Sequence, residues 1–294
     1  MLSDSQIQEL ISQIKTLGEL SLLLRKKGLD IEIKEDSSPV TNVDKVINER
    51  AIEFLHSKFP SFGIVSEELD KEWKDINWFV DPINGTKAYL KGKNENWNML
   101  FGLVEGNSPI FGAIYYPYAN KLQVGGSMIE AVEIQESGTK HKLRVEKNPE
   151  FKSMLLCPSD NWYMAWNREL GNNPEYELVK YDQVGEWEDT SVVIAKNKAN
   201  LLMNKNWGAW GTWDIAAGHA VLSAAGGVTT DFLGNDIDYL SGQSMLPHGF
   251  NYADSIERIR RLPWYGVSKE EYEGKFEIKD ESNLRDKESK STLF

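Results

Sequence analysis

Five side chains that offer oxygen ligands lie where an apolar run ends or a helix begins: Asp44, Glu67, Asp81, Asn84 and Asp214. Oxygen atoms gathered in this way suit a hard divalent cation such as Mg²⁺, which prefers octahedral oxygen coordination and usually keeps water and a substrate phosphate in its shell. The four histidines share no ligand spacing, and the single cysteine cannot form a thiolate cluster. The sequence therefore predicts a magnesium site built mainly from carboxylates.

The run from Asp81 to Thr86, with the sequence Asp-Pro-Ile-Asn-Gly-Thr, is the most compact part of this pattern. Its proline fixes the backbone where a strand ends, and Gly85 permits a positive φ before a short helix. The amides of Gly85 and Thr86 would open that helix and receive an anion. Asp81 could bridge two cations, with the Ile83 carbonyl as a neutral ligand and the Thr86 hydroxyl orienting a water. Asp-Pro and Asn-Gly are also common turn formers, so an ordinary turn is an equal alternative for this run taken alone.

Three further motifs accompany this run in a fixed order: Ser38-Pro39-Val40-Thr41 followed by Asp44, Ser66-Glu67-Glu68, and Trp213-Asp214-Ile215-Ala216-Ala217-Gly218-His219. Together the motifs resemble those of the magnesium-dependent, lithium-sensitive phosphatases of the inositol monophosphatase superfamily, which includes fructose-1,6-bisphosphatase and 3'(2'),5'-bisphosphate nucleotidase. The Ser-Pro-Val-Thr loop, the Gly-Thr-Lys run at 85–87 and the stretch 213–221 are most similar to the nucleotidase branch. The resemblance covers roughly residues 5–250.

The resemblance implies a fold of the α/β (α+β) class, a layered αβαβα sandwich, with two magnesium ions at its site. The implied ligands are Glu67, Asp81 and the Ile83 carbonyl for the first ion, and Asp81, Asn84 and Asp214 for the second. Glu67 would also face a third, weaker ion. Asp44 and Thr86 match the pair that activates the attacking water in this superfamily, and Gly85 and Thr86 are the expected phosphate-binding residues.

These assignments predict a Mg²⁺-dependent phosphomonoesterase that hydrolyses a small phosphorylated metabolite without an organic cofactor. The first candidate substrate is 3'-phosphoadenosine 5'-phosphate, which would give AMP and phosphate. The alternative is an inositol or sugar monophosphate phosphatase with altered specificity. A third interpretation is a catalytically impaired relative that binds metal and phosphate, because Asn84 stands where the superfamily usually has Asp. The amide keeps an oxygen ligand but removes a charge, so the second metal site should be weaker.

Three residues are weaker candidates for substrate binding: Lys34, Glu186 and Trp213. The nucleotidase branch usually carries a Gly-Ser-Ser-Leu-Lys run before its last metal helix, where this chain reads Gly-Glu-Trp-Glu-Asp at 185–189. We expect Glu186, Glu188 and Asp189 to repel a second phosphate, which favours a substrate with one phosphate; a solvated loop is the alternative. Trp213 could stack on a sugar or a base and Lys34 could contact phosphate, although core packing and a surface position are commoner for such residues.

Apolar periodicity predicts the elements that must position these groups. Helices are expected over 5–27, over 43–59 with Thr41 or Asn42 as its cap, and over 213–225 with Thr212 as its cap. Residues 99–117 have the pattern of a hairpin, which indicates an antiparallel or mixed sheet. Beyond 150 the pattern alternates, with a helix near 163–170 between apolar runs at 154–156 and 191–195 that are expected as strands. We expect a metal-binding α+β subdomain over 1–150, an α/β substrate subdomain over 151–267 that contributes the last metal ligand, and a charged tail over 268–294.

The charge balance restricts the partners of the chain. Its 33 basic and 45 acidic residues give a formal net charge of −12, and such a field repels nucleic acid and anionic membranes. No apolar run is long enough for a signal core or a membrane span. A single cysteine cannot form a disulfide within the chain, so we expect a cytoplasmic protein. Members of the superfamily often form dimers, which makes a homodimer compatible with the resemblance.

Overall fold

The fold is that of a computed structural model, which describes residues 2–34, 38–68, 71–92, 96–147, 153–157, 160–184, 188–205, 210–241, 245–246, 249–268 and 271. The predicted tail over 268–294 lies outside the described residues, apart from Ser268 and Glu271. The described helices are α1 (Asp4–Lys27), α2 (Asn42–Lys58), α3 (Thr86–Leu90), α4 (Asp160–Leu170), α5 (Thr190–Ala195), α6 (Thr212–Ala224) and α7 (Ile256–Arg260). Among them, none combines the length and the apolar character that a membrane crossing requires.

The described strands alternate with these helices along the chain. They are β1 (Ile31–Ile33), β2 (Pro39–Thr41), β3 (Gly63–Ser66), β4 (Ile76–Asn84), β5 (Asn98–Glu105), β6 (Ser108–Tyr116), β7 (Lys121–Gly126), β8 (Ile129–Ile134), β9 (Lys140–Lys142), β10 (Ser153–Cys157), β11 (Tyr176–Lys180), β12 (Leu201–Lys205), β13 (Trp210–Gly211), β14 (Val228–Asp231), β15 (Met245–Leu246) and β16 (Gly249–Ala253). β1 pairs with β2 and β13 pairs with β15, each as a separate two-stranded ribbon.

Helices α1 and α2 form one outer layer of the molecule. α1 begins at a capping box, in which the Ser3 hydroxyl accepts from the Gln6 amide and the Gln6 side chain accepts from the Ser3 amide. Its buried stripe, which includes Ile7, Leu10 and Ile14, packs with α2 and one face of the first sheet in a single apolar cluster. Both helices are confirmed, with ends within one residue of those expected.

The first sheet has seven strands in the order β3-β4-β5-β6-β7-β8-β9. β3 and β4 run parallel, whereas every other neighbouring pair in this sheet is antiparallel. The predicted hairpin is confirmed as β5 and β6, joined by a turn at Gly106 and Asn107. The single parallel pair matters for function, because it brings two strand ends to the same edge of the sheet.

The second sheet has five strands in the order β11-β10-β12-β16-β14 and is mixed. Helices α5 and α6 lie between the two sheets, where one apolar cluster joins residues of both sheets and both helices. α4 and α7 cover the other face of the second sheet, together with Trp264. The layers therefore follow the order αβαβα, and the predicted fold class is confirmed.

Two local predictions are wrong. The apolar run at 191–195 is not a strand but lies in helix α5, because the Asp189 carboxylate accepts from the Ser191 amide at 2.9 Å and caps the helix start. The run 191–195 packs between α6 and the second sheet, and this tertiary packing outweighs the strand propensity of its β-branched residues. Thr212 lies inside α6 rather than capping it, and the carboxylate of Asp214 instead accepts from the Gly211 amide at 2.7 Å.

Small residues set the depth of α6 on the first sheet. The helix presents Ala216, Ala217 and Ala220 to glycines of β5 and β6, among them Gly112. A methyl group added at Gly112 would clash with the Ala217 carbonyl oxygen and lie 2.9 Å from the Ala220 Cβ atom. This close approach carries Asp214, in the first turn of α6, toward the edge where β3 and β4 end.

We predict that Gly112→Ala lowers the free energy of unfolding by about 1–3 kcal/mol, because the added methyl group overpacks the contact between α6 and the sheet. Urea denaturation followed by circular dichroism would measure the change. Ser108→Ala, at the exposed start of the same strand, is the matched control and should have little effect. Equal stability of the two variants would contradict the packing described here.

Candidate active site

The parallel strands β3 and β4 place two acidic residues side by side, although β4 continues through Pro82 to Asn84 and does not end at Asp81 as predicted. Ser66, the last residue of β3, pairs with Val80 of β4, so the next residues along the two strands are Glu67 and Asp81. The Glu67 amide continues the ladder by donating to the Val80 carbonyl at 3.2 Å. The parallel pairing therefore brings together two side chains that are 14 positions apart in the sequence.

The predicted turn after Asp81 has the geometry that its sequence requires. Pairing with β5 shifts register between Asp81 and Asn84, and the Ile83 amide donates to Asp81 Oδ1 at 3.0 Å. Gly85 has a φ of 92°, and a Cβ atom there would lie 2.9 Å from the Asn96 carbonyl oxygen. The predicted positive φ at Gly85 and the short helix that follows, α3, are confirmed.

Asp44 and Thr86 are 42 positions apart in the sequence but lie in contact. Asp44 is fixed by the capping box of α2, in which its Oδ2 accepts from the Thr41 amide at 2.9 Å. Its other oxygen, Oδ1, is 3.3 Å from the Thr86 hydroxyl, which is also 3.1 Å from the Ile83 carbonyl oxygen. Burial raises the pKa of Asp44, although the hydrogen bonds from Thr41 oppose the shift.

The buried carboxylate of Asp81 and the half-buried carboxylate of Asp214 come from opposite halves of the chain and interact through their charges. Burial raises the pKa of the Asp81 carboxyl well above its usual value of 3.8. Neighbouring carboxylates add to this effect, in the order Glu67, Asp214 and Asp44. Burial, followed by the charge of Glu67, also raises the pKa of Asp214, to about 7. The predicted acidic residues are thus gathered in one region, where each negative charge disfavours the next.

Lys34 supplies a positive charge to this region. Its Nζ atom lies 2.8 Å from Glu67 Oε1 and 2.7 Å from Glu68 Oε1. Partial burial opposes the charge of Lys34, but the hydrogen bonds to both glutamates outweigh burial and raise its pKa. Burial raises the pKa of Glu68 to about 7, although the bond from Lys34 opposes the shift. The ammonium group therefore neutralises part of the acidic cluster instead of standing free for phosphate.

The acidic side chains lie near one another but do not converge on a common centre. In the described part of the chain, no three side chains of Asp, Glu, His or Cys are arranged together as metal ligands. The chemistry of the donors nevertheless fits Mg²⁺, because buried carboxylates that repel one another are stabilised by a hard dication. The Ile83 carbonyl, already an acceptor for Thr86, adds a neutral oxygen to this set.

Asn84 lies at the end of β4, where its Nδ2 atom donates to Asn98 Oδ1 at 3.0 Å. The Nδ2 atom of Asn98 is itself buried and has no hydrogen-bond partner among the described residues. A carboxylate at position 84 could accept from this second amide, whereas the Asn84 amide group leaves it unpaired. Asn98 was not apparent from the sequence, because it lies on β5 and no motif includes it.

The prediction that three acidic residues repel a second phosphate is wrong for Glu188. The Glu188 side chain is only 1% exposed and pairs with Lys121, Lys196 and Lys198. Asp189 is half-buried, its carboxylate caps α5, and its charge contributes to the raised pKa of Asp214. Glu186 lies outside the described residues. The sequence could not show this sequestration, because the lysines that pair with Glu188 come from distant parts of the chain.

Trp213 is a core residue that contacts a lysine. It is 8% exposed and belongs to the apolar cluster between the sheets. The Lys71 Nζ atom lies 5.1 Å from the centroid of its ring. Sequence reasoning missed Lys71, because a single lysine in a polar loop carries no spacing signal.

Comparison with known proteins agrees with this geometry. The model of the inositol monophosphatase family matches residues 4–262. The chain is 29% identical over 241 residues to the 3'(2'),5'-bisphosphate nucleotidase CysQ of Escherichia coli K12, an alignment that spans 76% of this chain and 89% of the relative. It is 30% identical over 210 residues to the fructose-1,6-bisphosphatase/inositol-1-monophosphatase of Aquifex aeolicus, across 69% of this chain and 76% of that protein.

A solved structure gives the same result for the fold. CysQ from Bacteroides thetaiotaomicron, described as a bacterial member of the inositol monophosphatase family, superimposes with a TM-score of 0.65 at 20% identity, covering 85% of this chain and 98% of that one. The match to the family model runs from α1 to α7 and therefore includes both sheets and the helices between them. The chain therefore belongs to the inositol monophosphatase family and is a phosphatase of that family.

Proposed function

We propose that the protein is a Mg²⁺-dependent phosphomonoesterase whose first candidate substrate is a 3'(2'),5'-bisphosphate nucleotide. The contact between Asp44 and Thr86, near the carboxylates of Asp81 and Asp214, is the observation that carries the proposal. The nucleotide is favoured by the motif resemblance and by the E. coli relative, which is named as a bisphosphate nucleotidase.

The donors described above would hold the metal. The proposed ligands are Glu67, Asp81 and the Ile83 carbonyl for one ion, Asp81, Asn84 and Asp214 for a second, and Glu67 for a third, weaker ion. Magnesium at such a site supplies charge stabilisation for the phosphoryl group and acidifies water. The protein contributes a rigid arrangement, since Asp81 and Asp214 are each fixed by a backbone amide.

Asp44 and Thr86 would carry the proton of the attacking water. When the Thr86 hydroxyl donates to Asp44 Oδ1, its lone pair can accept a hydrogen from the water. As the water oxygen bonds to phosphorus, Thr86 takes the water proton and passes its own to Asp44, while the bond from phosphorus to the alcohol oxygen breaks and the leaving oxygen takes a proton from a second water molecule. The raised pKa of Asp44 suits a general base, because proton affinity closer to the working pH favours transfer. Gly85 and Thr86 are the residues proposed to bind the phosphate oxygens.

An inositol or sugar monophosphate is the second candidate class. It is favoured by the Aquifex relative, whose name combines fructose-1,6-bisphosphatase with inositol-1-monophosphatase. Nucleotide bisphosphates and inositol or sugar monophosphates differ in the groups attached to the reacting phosphate. The proton transfer through Thr86 and Asp44 would be the same for both. A substrate screen therefore separates them.

We predict phosphate release from 3'-phosphoadenosine 5'-phosphate in the presence of Mg²⁺, at a rate above that with inositol or sugar monophosphates. Asp81→Asn should reduce release by about 100-fold or more, because it removes the carboxylate shared by the two proposed ions. Asp236→Asn, an exposed residue, is the control for the loss of one charge. Faster release from a monophosphate would select the second class, and no release above that of Asp81→Asn would refute the phosphomonoesterase.

A second prediction concerns Asn84. Asn84→Asp should lower the Mg²⁺ concentration that gives half-maximal activity by about 5- to 10-fold, because it adds one charge at a partly buried ligand position and offers an acceptor to Asn98. Asn172→Asp adds the same charge on an exposed turn and should leave the magnesium titration unchanged. Identical titrations for the parent protein and Asn84→Asp would contradict a ligand role for this residue.

A third prediction follows from the raised pKa of Asp214. Because the folded state holds this proton up to about pH 7 and the unfolded chain releases it near 3.8, the stability contribution of Asp214 falls as the pH rises between these values. Without metal, the denaturation temperature of the parent protein should therefore fall more steeply between pH 5 and 7 than that of Asp214→Asn. Excess Mg²⁺ should raise the parent curve most at pH 7 and above, where the carboxylates are charged.

Calorimetric scans across this pH range, with and without Mg²⁺, would make the comparison. Asp75→Asn, at an exposed position just before β4, should behave like the parent protein. Parallel curves for the parent protein and Asp214→Asn would show that Asp214 titrates normally in the folded state.

A further inference from the structure

We propose that Lys71 is a specificity-determining residue that binds the second phosphate of a bisphosphate substrate. The inference rests on the proposed function and extends it, because it names the group through which the site would distinguish bisphosphates from monophosphates. The loop that carries Lys71 joins the candidate metal ligand Glu67 to the strand that contains Asp81.

The backbone next to Lys71 is anchored on β3. The chain leaves β3 at Glu67 and returns to it at Glu72, which exchanges two backbone hydrogen bonds of 2.8 Å with Ile64. The next residue, Trp73, packs edge-on against Phe79 in the core, with ring centroids 5.9 Å apart. Lys71 therefore precedes an anchored segment and follows a proposed metal ligand by only four positions.

The side chain of Lys71 is directed to the start of α6. Its Nζ atom lies 5.1 Å from the centroid of the Trp213 ring, a contact of the cation–π type. Trp213 is held in the core and is the residue immediately before Asp214. The Trp213 ring therefore holds the ammonium group of Lys71 at a defined position near Asp214, a carboxylate of the site.

The charge of Lys71 is available to an anion. Among the described residues, no carboxylate forms an ion pair with Lys71, and the residue is exposed. Lys34 differs, because its ammonium group contacts both Glu67 and Glu68. An ammonium ion held on an aromatic face keeps N–H donors on its opposite side, and a phosphate can accept hydrogen bonds from these donors.

Part of the acidic run expected to repel a second phosphate is neutralised. Glu188 is paired with lysines, and the Asp189 carboxylate accepts hydrogen bonds from Ser191 at the start of α5. In a chain of net charge −12, an exposed cation with no ion pair to a described carboxylate is the group that a distal phosphate would meet favourably near this acidic site. A monophosphate has no group to place there and gains nothing from it.

The test compares two substrates that share the reacting 3'-phosphate and differ only in the 5'-phosphate: 3'-phosphoadenosine 5'-phosphate and adenosine 3'-monophosphate. Lys71→Gln should raise KM for the bisphosphate by about 10-fold with little change in kcat, as expected for loss of a charge-assisted contact made equally in ground and transition states. Its effect on the monophosphate should stay below about 2-fold, and Lys71→Arg should restore most of the bisphosphate KM.

Lys58→Gln, a surface lysine that pairs with Glu9, is the matched control for loss of one positive charge. Equal effects of Lys71→Gln on both substrates, or none on either, would overturn the role of Lys71 while leaving the phosphatase intact. Absence of phosphate release from both substrates by the parent protein with Mg²⁺ would instead refute the proposed function, and the role of Lys71 with it. Unchanged circular dichroism and denaturation temperature would show that Lys71→Gln is folded.

Discussion

Repulsion between buried carboxylates is the constraint on which the architecture of this site depends. Three of these groups are each anchored by a backbone amide two or three residues away: Asp44 by Thr41, Asp81 by Ile83, and Asp214 by Gly211. These bonds stabilise the charged forms, yet the pKa of each carboxyl remains raised by burial. The fold therefore orders its acidic groups locally and leaves their mutual repulsion to be relieved by positive charge.

The layers bring these groups together from separate parts of the chain. Asp44 lies in the first turn of a helix of the outer layer, Asp81 lies in the last part of a strand of the first sheet, and Asp214 lies in the first turn of the helix between the sheets. Only the last position requires contact across the core, and that contact depends on alanines of α6 lying against glycines of the sheet. A larger residue at that surface would shift α6, and with it the Asp214 carboxylate, without contacting that carboxylate. Packing far from the reacting atoms therefore affects the chemistry directly.

The sequence predicts this site better than it predicts the surroundings. Capping residues and strand ends are local signals, which is why Thr41, Gly85 and both outer helices could be read correctly from spacing. The family resemblance supplied the pairing of Asp44 with Thr86, which no local pattern encodes. The helix at 191–195 and the burial of Glu188 were beyond sequence reasoning, because both depend on partners that are distant along the chain.

The buried pairing of Glu188 limits how the protein can move. Lys121 belongs to the first sheet, whereas Glu188 and Lys196 flank the helix that packs under the second. Separation of the two sheets would break the Lys121–Glu188 pair and the pair of Lys196 with Glu133 of β8, whereas Glu188 would keep Lys196 and Lys198. These partly buried ion pairs therefore oppose a hinge motion between the sheets.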